Sequence, residues 1–250
     1  MPTATAAPIS LHYGAVPTIA LFNHATKPLG IAFTTLFRTM QKYVDQHVAP
    51  VWGKRADLVR SGGYLKGAWA LVLLDSPDDP FAQAHHDLTP DGLPQAKLFV
   101  RPTLASGEDV SVALSHELVE LLVDPALNLI ALGPDPRVMY AVECADPVEG
   151  QRFGVDGVPV SNFVYPSYFE PFHAAGAVPF DHLHKVPSPF HITASGHQAI
   201  RAAGGWTQRF GSADRAQLFA ADDRSGQRTE QRSYRAVLKR ADPGAMRRSA

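Results

Sequence analysis

One stretch of the chain decides its expected fold: Ser115-His116-Glu117-Leu118-Val119-Glu120-Leu121-Leu122-Val123-Asp124-Pro125. At about 100° per residue, a helix over this stretch brings one imidazole and three carboxylates onto a single narrow face. These side chains belong to His116, Glu117, Glu120 and Asp124. Apolar residues fill most of the remaining circumference, so the helix is predicted to be buried. A buried face of this composition is predicted to bind a cation.

Repulsion between the acids of this face favours a metal site over an ordinary polar surface. Glu117 and Glu120 are like-charged at i,i+3, Glu120 and Asp124 at i,i+4, and the stretch contains no Lys or Arg to pair with them. Each such pair costs about 0.2–0.5 kcal/mol in water, and more when it is desolvated. A bound metal ion would turn this repulsion into attraction. The alternative is an acidic face that is simply solvated.

The segment His116-Glu117-x-x-Glu120 resembles the start of the zincin signature H-E-x-x-H, in which two histidines bind zinc and the glutamate is the general base. Glu120 stands where the second histidine would be. The longer form H-E-x-x-E-x-x-x-D-P is similar to one in Exordium-like proteins and in uncharacterised bacterial and phage zincin-like proteins, usually followed by Glu-x-x-Asp. This chain has such an element in Glu143-Cys144-Ala145-Asp146. The resemblance covers about residues 85–170.

A third metal ligand is expected from outside the helix, because a catalytic zinc site holds three protein ligands and leaves the fourth position to water. Glu143 and Asp146 are the leading candidates, since they follow a predicted strand after a connection long enough to return to the helix. Each could instead be a turn-capping acid, because Asp-Pro is a common turn dipeptide. A carboxylate at Glu120 also moves the ligand set towards harder cations, which makes calcium the alternative to zinc.

Four further residues are candidates for supporting the metal or the substrate: Asp124, His86, Tyr165 and Tyr168. Asp124 can bend away from the acidic face because Pro125 ends the helix. His86 lies in a predicted loop, from which its imidazole could reach the metal or polarise a substrate carbonyl; the alternative is a solvated side chain. A tyrosine hydroxyl could stabilise a developing oxyanion, and the alternative for both tyrosines is packing against the core.

The resemblance implies a zinc-dependent metallopeptidase. Zinc would lower the pKa of its water towards about 7, and Glu117 would accept the proton and pass it to the leaving amine. Peptide is the favoured substrate on the resemblance, whereas the residues alone would equally allow another amide or an ester. The alternative class is a non-catalytic zincin-like module, structural or binding, whose acids hold calcium or no ion.

Composition and charge limit the partners and the compartment. The 250 residues are 45% hydrophobic with a net charge of −1, which gives no electrostatic reason to expect nucleic acid or a membrane as a partner. Cys144 is the only cysteine, so a Cys-based zinc site is excluded and a core thiol is predicted. Residues 1–8 lack the features of a secretory signal, and no apolar run has the length of a membrane span. Cytoplasmic residence is expected, with export without a cleaved signal left open.

Hydrophobic periodicity predicts the order of the elements. A helix begins near Phe33 and is closed by Pro50, and the segment 76–95, rich in Pro and Asp, is predicted to be a loop. The acidic helix is predicted to start with a capping box of Ser106 and Asp109. The predicted strands are 16–22, 67–74, 97–100, 138–143, 151–155 and 158–164, the last two joined by a turn at Asp156-Gly157.

These elements predict an α+β fold. By the resemblance it is zincin-like, with a mixed sheet packed on the active-site helix and a small β-rich C-terminal region. The edge strand is predicted at 97–100, where an extended peptide could add to the sheet. Three parts are expected: a metal-binding catalytic domain at 1–170, a β-rich extension packed on it at 171–240, with a strand at 234–238, and a disordered tail at 241–250.

Overall fold

The computed structural model describes residues 16–76, 83–214 and 216. The expectations for residues 1–8, for the strand at 234–238 and for the tail at 241–250 therefore lie outside the described residues. In the described part, none of the helices has the length and apolar character needed to cross a membrane. Helices and sheets occur together in this part, and the fold is α+β as the sequence predicts.

The larger sheet has five strands in the order β2-β1-β3-β5-β4. Neighbours among β1, β2, β3 and β5 are parallel, and β4 lies antiparallel to β5 at one edge. The apolar segments of β1 and β3 are buried throughout their central residues, as expected of strands covered on both faces. The strands are β1 Thr18–Asn23, β2 Asp57–Arg60, β3 Trp69–Leu74, β4 Ala84–Leu88 and β5 Pro94–Phe99.

The edge strand differs from the prediction. Residues 97–100 were expected at the edge, but β5 lies between β3 and β4, and Val100 already begins helix α3, Val100–Ala105. The edge is β4, in a segment that was predicted to be a loop. The sequence pattern does not predict this strand, because the buried position of β4 is occupied by His86 and not by an apolar side chain. The segment therefore lacks the alternation of apolar and polar residues by which a strand is recognised.

The first helical region also runs further than predicted. Helix α1 spans Phe33–Tyr43, a π-helical turn spans Val44–Val48, and α2 continues over Ala49–Trp52. Pro50 does not end this region: α2, which contains it, follows the π-helical turn directly, and the backbone remains helical through Val48 and Ala49. The region ends at Gly53, which adopts φ +65°.

Helix α4, Val110–Val123, is the helix predicted to carry the site. Its N-cap position is Asp109, without a side-chain capping hydrogen bond, whereas Ser106 caps the end of α3 and donates to the carbonyl of Thr103. The predicted capping box is therefore wrong, because a separate short helix uses Ser106. The end of α4 is as predicted: Asp124, before Pro125, leaves the helical region with φ −125° and ψ 67°.

A second sheet has the order β11-β10-β7-β6, and a separate hairpin is formed by β8 and β9 around Asp156-Gly157, as predicted. Residues 197–210 of the expected C-terminal extension thus share a sheet with residues 130–141. Short 3₁₀ turns occur at Asp146–Val148 and Pro166–Phe169. The remaining strands are β6 Ile130–Leu132, β7 Met139–Ala141, β8 Arg152–Val155, β9 Val158–Ser161, β10 His197–Ala202 and β11 Gly205–Phe210.

Helix α4 is buried along most of its length and contacts β4, β5 and β9. Ser115 joins it to the hairpin: its hydroxyl donates to the carbonyl of Val112 at 2.9 Å and accepts the amide of Ser161 at 2.7 Å. Cys144 is fully buried, in agreement with the predicted core thiol. The acidic face of α4 is consequently held at a fixed distance from the strands around it.

Candidate metal centre

The acidic face of α4 opens on a cavity of about 160 Å³. Most of its ionisable lining comes from α4, the edge strand β4, the connection after β7 and the start of β10, and Ser161 of β9 and Gln208 of β11 add polar groups. The lining includes six side chains with metal-ligating chemistry from three of these parts, namely His86, His116, Glu117, Glu120, Glu143 and Asp146. The structure therefore brings together every ligand and the catalytic base proposed from the sequence.

One ligand set consists of His116, Glu120 and Asp146, each of which offers one atom within 4.8 Å of the others. His116 Nε2 lies 3.4 Å from Glu120 Oε2 and 3.2 Å from Asp146 Oδ1. Ligands that sit about 2.0–2.2 Å from a tetrahedral zinc ion are about 3.3–3.6 Å from one another. The two separations are close to this range, so these three atoms fit a common cation.

Glu120 is held by the same connection that carries Asp146. Its Oε1 accepts the backbone amide of Ala145 at 3.0 Å and that of Asp146 at 3.3 Å. These bonds leave Oε2 directed at His116. A carboxylate fixed through one oxygen presents the other in a defined position, which is what a metal ligand requires.

A second set lies on the other side of Glu120 and consists of His86, Glu120 and Glu143, again with one atom each within 4.8 Å of the others. His86 Nε2 is 3.7 Å from Glu143 Oε2, and His86 Nδ1 is 3.9 Å from Glu120 Oε2. His86 Nδ1 is also 3.4 Å from Glu117 Oε2. The two candidates for a third ligand are thus separated, Asp146 beside His116 and Glu143 beside His86.

His197 is a site residue that the sequence does not indicate. Its Nε2 lies 3.2 Å from Asp146 Oδ2, and its Nδ1 lies 3.0 Å from Glu149 Oε2. Gly196 permits this approach, because a Cβ at that position would lie 2.2 Å from the carbonyl oxygen of Pro147. The only sequence signal is a glycine before a histidine at the start of a strand, and it is too common to identify a site.

The histidines and carboxylates of the centre shift each other's pKa values. Burial by itself lowers the pKa of His86, but Glu143, Glu117 and Glu120 raise it to about 10. In the same way burial lowers the pKa of His116, while Glu120 and Asp146 raise it well above its usual value. Protons on these imidazoles offset the neighbouring carboxylates, and a cation must displace the protons of its ligands to bind.

The pKa values of the carboxyl groups of Glu120 and Asp146 shift in opposite directions. Burial raises the pKa of Glu120 to about 7, against the opposing effect of His116. Burial also acts to raise the pKa of Asp146, but His197 and His116 hold it well below its usual value. Asp146 is therefore an anion throughout the neutral range. His197 has its pKa raised to about 10, because Asp146 and Glu149 outweigh the effect of its burial.

Three candidates from the sequence lie outside the cavity lining. Asp124 accepts the amides of Asn128 and Leu129 at 2.9 and 3.0 Å and so stabilises the turn after α4. The hydroxyl of Tyr165 contacts His182 Nδ1 at 3.0 Å. The hydroxyl of Tyr168 is hydrogen-bonded to the side-chain amide of Gln198. Both tyrosines thus follow the packing alternative, because their hydroxyls are directed at other protein groups.

Comparisons of the chain with protein families, with curated proteins and with solved structures find no match. The donor atoms of the centre are imidazole nitrogens and carboxylate oxygens, a combination that suits zinc and other divalent transition metals. Among the described residues, Glu117, Glu120 and Asp146 form their ion pairs with histidines. The carboxylate oxygens therefore lie next to the imidazole nitrogens with which they would share a metal ion.

Proposed function

We propose that the protein is a zinc-dependent hydrolase with a zincin-like active site that cleaves amide bonds, peptides being the favoured substrates. The observation that carries this proposal is the arrangement of His116, Glu120 and Asp146, whose separations of 3.2 and 3.4 Å are close to those of tetrahedral zinc ligands. These three residues would hold the ion. When bound, it would supply a Lewis acid and a lowered pKa for water at the site.

Glu117 is the proposed general base. It precedes Glu120 by almost one helical turn on α4, lines the same cavity, and is buried, yet it does not belong to the set around His116. Its Oε2 forms an ion pair with His86 Nδ1 at 3.4 Å and makes no hydrogen bond to another described residue, so this oxygen also faces the cavity, where it could accept a proton from water. Glu117 would then transfer that proton to the leaving amine.

The position of β4 supports an extended substrate. Among the described strands, β4 is at the edge of the larger sheet and pairs with β5 alone, and it lines the cavity through Ala84, His85, His86 and Asp87. A peptide added antiparallel or parallel to such an edge would run past α4 and its acids. Together with the order of strand and helix, this supports the zincin-like assignment and the choice of peptide over a small amide.

Metal content and hydrolysis test the proposal together. The purified protein is analysed for metals by mass spectrometry and then incubated with a quenched fluorogenic peptide library, before and after treatment with a zinc chelator. We expect bound zinc, cleavage of a subset of peptides, loss of cleavage on chelation and recovery with added zinc. The exposed His191 provides a control variant, His191→Gln, which should keep both properties.

The alternative class predicts a different pattern. A non-catalytic module would bind calcium, or no ion, and would leave the whole library uncleaved after zinc is added. Calcium prefers six to eight oxygen ligands, whereas the set around His116 offers a nitrogen and two carboxylates. Calcium retention without hydrolysis would overturn the proposed enzyme and favour the module.

A further inference from the structure

We infer that the centre binds a second divalent cation, held by His86, Glu120 and Glu143, so that Glu120 bridges two metal ions. This inference rests on the proposed function, because it requires a first ion at His116, Glu120 and Asp146. Beyond that function, it states that two ions bind side by side and that the edge strand β4 supplies a ligand to one of them. Its ligands come from β4, from α4 and from the connection after β7.

The first support is the geometry around Glu120. Its Oε1 is fixed by the amides of Ala145 and Asp146, and its Oε2 is 3.4 Å from His116 Nε2 and 3.9 Å from His86 Nδ1. The same oxygen thus faces both histidines, and one nitrogen of His86 lies within 4.8 Å of a carboxylate oxygen of Glu120 and of one of Glu143. In hydrolases with two metals the ions lie about 3.5–4 Å apart, a spacing that one shared carboxylate can bridge.

The second support is a pair of buried polar atoms without hydrogen bonds. The side chain of His86 is 3% exposed, and its Nε2 has no hydrogen-bond partner in the described structure. The side chain of Glu117 is 8% exposed, and its Oε2 makes an ion pair with His86 Nδ1 at 3.4 Å but no hydrogen bond to a described residue. Such groups are rare because desolvation without a partner costs about 1–3 kcal/mol each, and more for charged groups. Both line the cavity, where a cation and its water would supply the missing partners.

The third support is the charge of the cavity. Four of its carboxylates have side chains that are at most 14% exposed: Glu117, Glu120, Glu143 and Asp146. A single divalent cation at the set around His116 would offset part of this charge, and His197 beside Asp146 offsets a further part. A second cation, held at His86, would offset the two carboxylates that lie closest to that imidazole, Glu117 and Glu143. Asp87, at the same edge, has Lys97 Nζ 3.7 Å away as a separate compensating charge.

The stoichiometry of zinc tests this inference directly. Chelated protein is titrated with Zn²⁺, passed through a desalting column, and analysed for zinc per chain. We expect two ions for the wild type, two for the exposed control His191→Gln, and one each for His86→Ala and Glu143→Gln. Circular dichroism establishes that the variants are folded, and the milder Glu143→Gln keeps the test valid if His86→Ala does not fold.

Manganese provides a second measurement that does not depend on activity. Two Mn²⁺ ions bridged by Glu120 should give the exchange-coupled electron paramagnetic resonance spectrum of a pair, and the two variants should give the six-line spectrum of an isolated ion. One zinc per wild-type chain would overturn the inference and leave the proposed function standing. Two ions in the wild type and still two in both variants would also overturn it. Absence of any bound zinc would refute the proposed function itself.

Discussion

Two groups of histidines in this protein have contrasting surroundings. In the candidate metal centre, His116 and His197 each lie within 4 Å of two carboxylates, and His86 lies within 4 Å of three. Beside the β8–β9 hairpin, His47 Nδ1 contacts His182 Nε2 at 3.1 Å, and both rings pack on Phe153. The first group is surrounded by negative charge, the second by aromatic rings and by another histidine.

The contrast shows that the neighbours of a histidine decide its chemistry. Carboxylates raise the pKa values of the first group, whereas burial lowers the pKa of His47, and burial together with His47 lowers that of His182. A histidine whose charged form is stabilised by acids is also one that those acids can help to bind a cation. A neutral histidine among aromatic rings is a packing residue. The following four predictions test whether this division holds.

The largest difference should appear in metal binding. His116→Ala removes the nitrogen ligand from a three-ligand set, so we expect loss of zinc binding that survives gel filtration. His182→Ala is the matched change in the aromatic group and should keep the wild-type zinc content. Metal analysis of both variants, with circular dichroism as a check on folding, decides the point. Equal zinc content in the two variants would remove the distinction between the groups.

The next largest effect concerns Glu117. Glu117→Gln keeps the size of the side chain but removes its basicity, so hydrolysis should fall by about 10²- to 10⁴-fold while zinc is retained. The rate on a peptide cleaved by the wild type and the zinc content are measured on the same preparation. Loss of zinc would make Glu117 a ligand, and an unchanged rate would leave it without a catalytic role.

A smaller effect is expected at His197, which orients Asp146 through Oδ2. Removal of a residue that positions a metal ligand typically weakens metal binding by about 10- to 100-fold. We therefore expect His197→Ala to raise the zinc Kd by that factor, measured by competition with a chromophoric chelator. The more conservative His197→Gln should recover part of the affinity. If His197→Ala binds zinc with the Kd of the wild type, His197 does not position a metal ligand and belongs to the group of packing histidines.

The smallest effect concerns the pH dependence of stability. Burial lowers the folded-state pKa of His47, so the unfolded chain binds more protons below the ordinary value of about 6.5. Protonation of His47 should therefore lower the free energy of unfolding as pH falls through about 6.5, and this contribution should be absent from the pH slope of His47→Phe. Urea unfolding at several pH values between about 5 and 8 measures both slopes. An identical slope in the variant would show that His47 does not titrate differently in the two states.

The sequence predicts the part of the centre that a single helix supplies. The spacing of His116, Glu117 and Glu120 follows from helical periodicity alone, and Pro125 marks the end of the helix. The sequence also offered Glu143 and Asp146 as candidates, but it could not separate them. The path of the connection after β7 decides that Asp146 faces His116 while Glu143 faces His86.

Two features of the centre were not predicted because tertiary contacts create them: the position of the candidate residue His86 in a strand, and the presence of His197. His86 was assigned to a loop, since a strand that buries a histidine against acids lacks the apolar alternation by which strands are identified. His197 lies 77 residues after Glu120, and its place depends on the close approach of Gly196 to Pro147. Periodicity describes neighbours along one element and carries no information about such approaches.

The close approach of Gly196 to Pro147 also has a consequence for how the protein matures during synthesis. His86 and α4 leave the ribosome long before β10, whose pairing with β7 brings His197 to Asp146. Asp146 therefore lacks the group that orients it until β10 has been synthesised. Because domains form as their segments emerge, we expect a nascent chain to acquire its full affinity for metal only after residue 197 has been released.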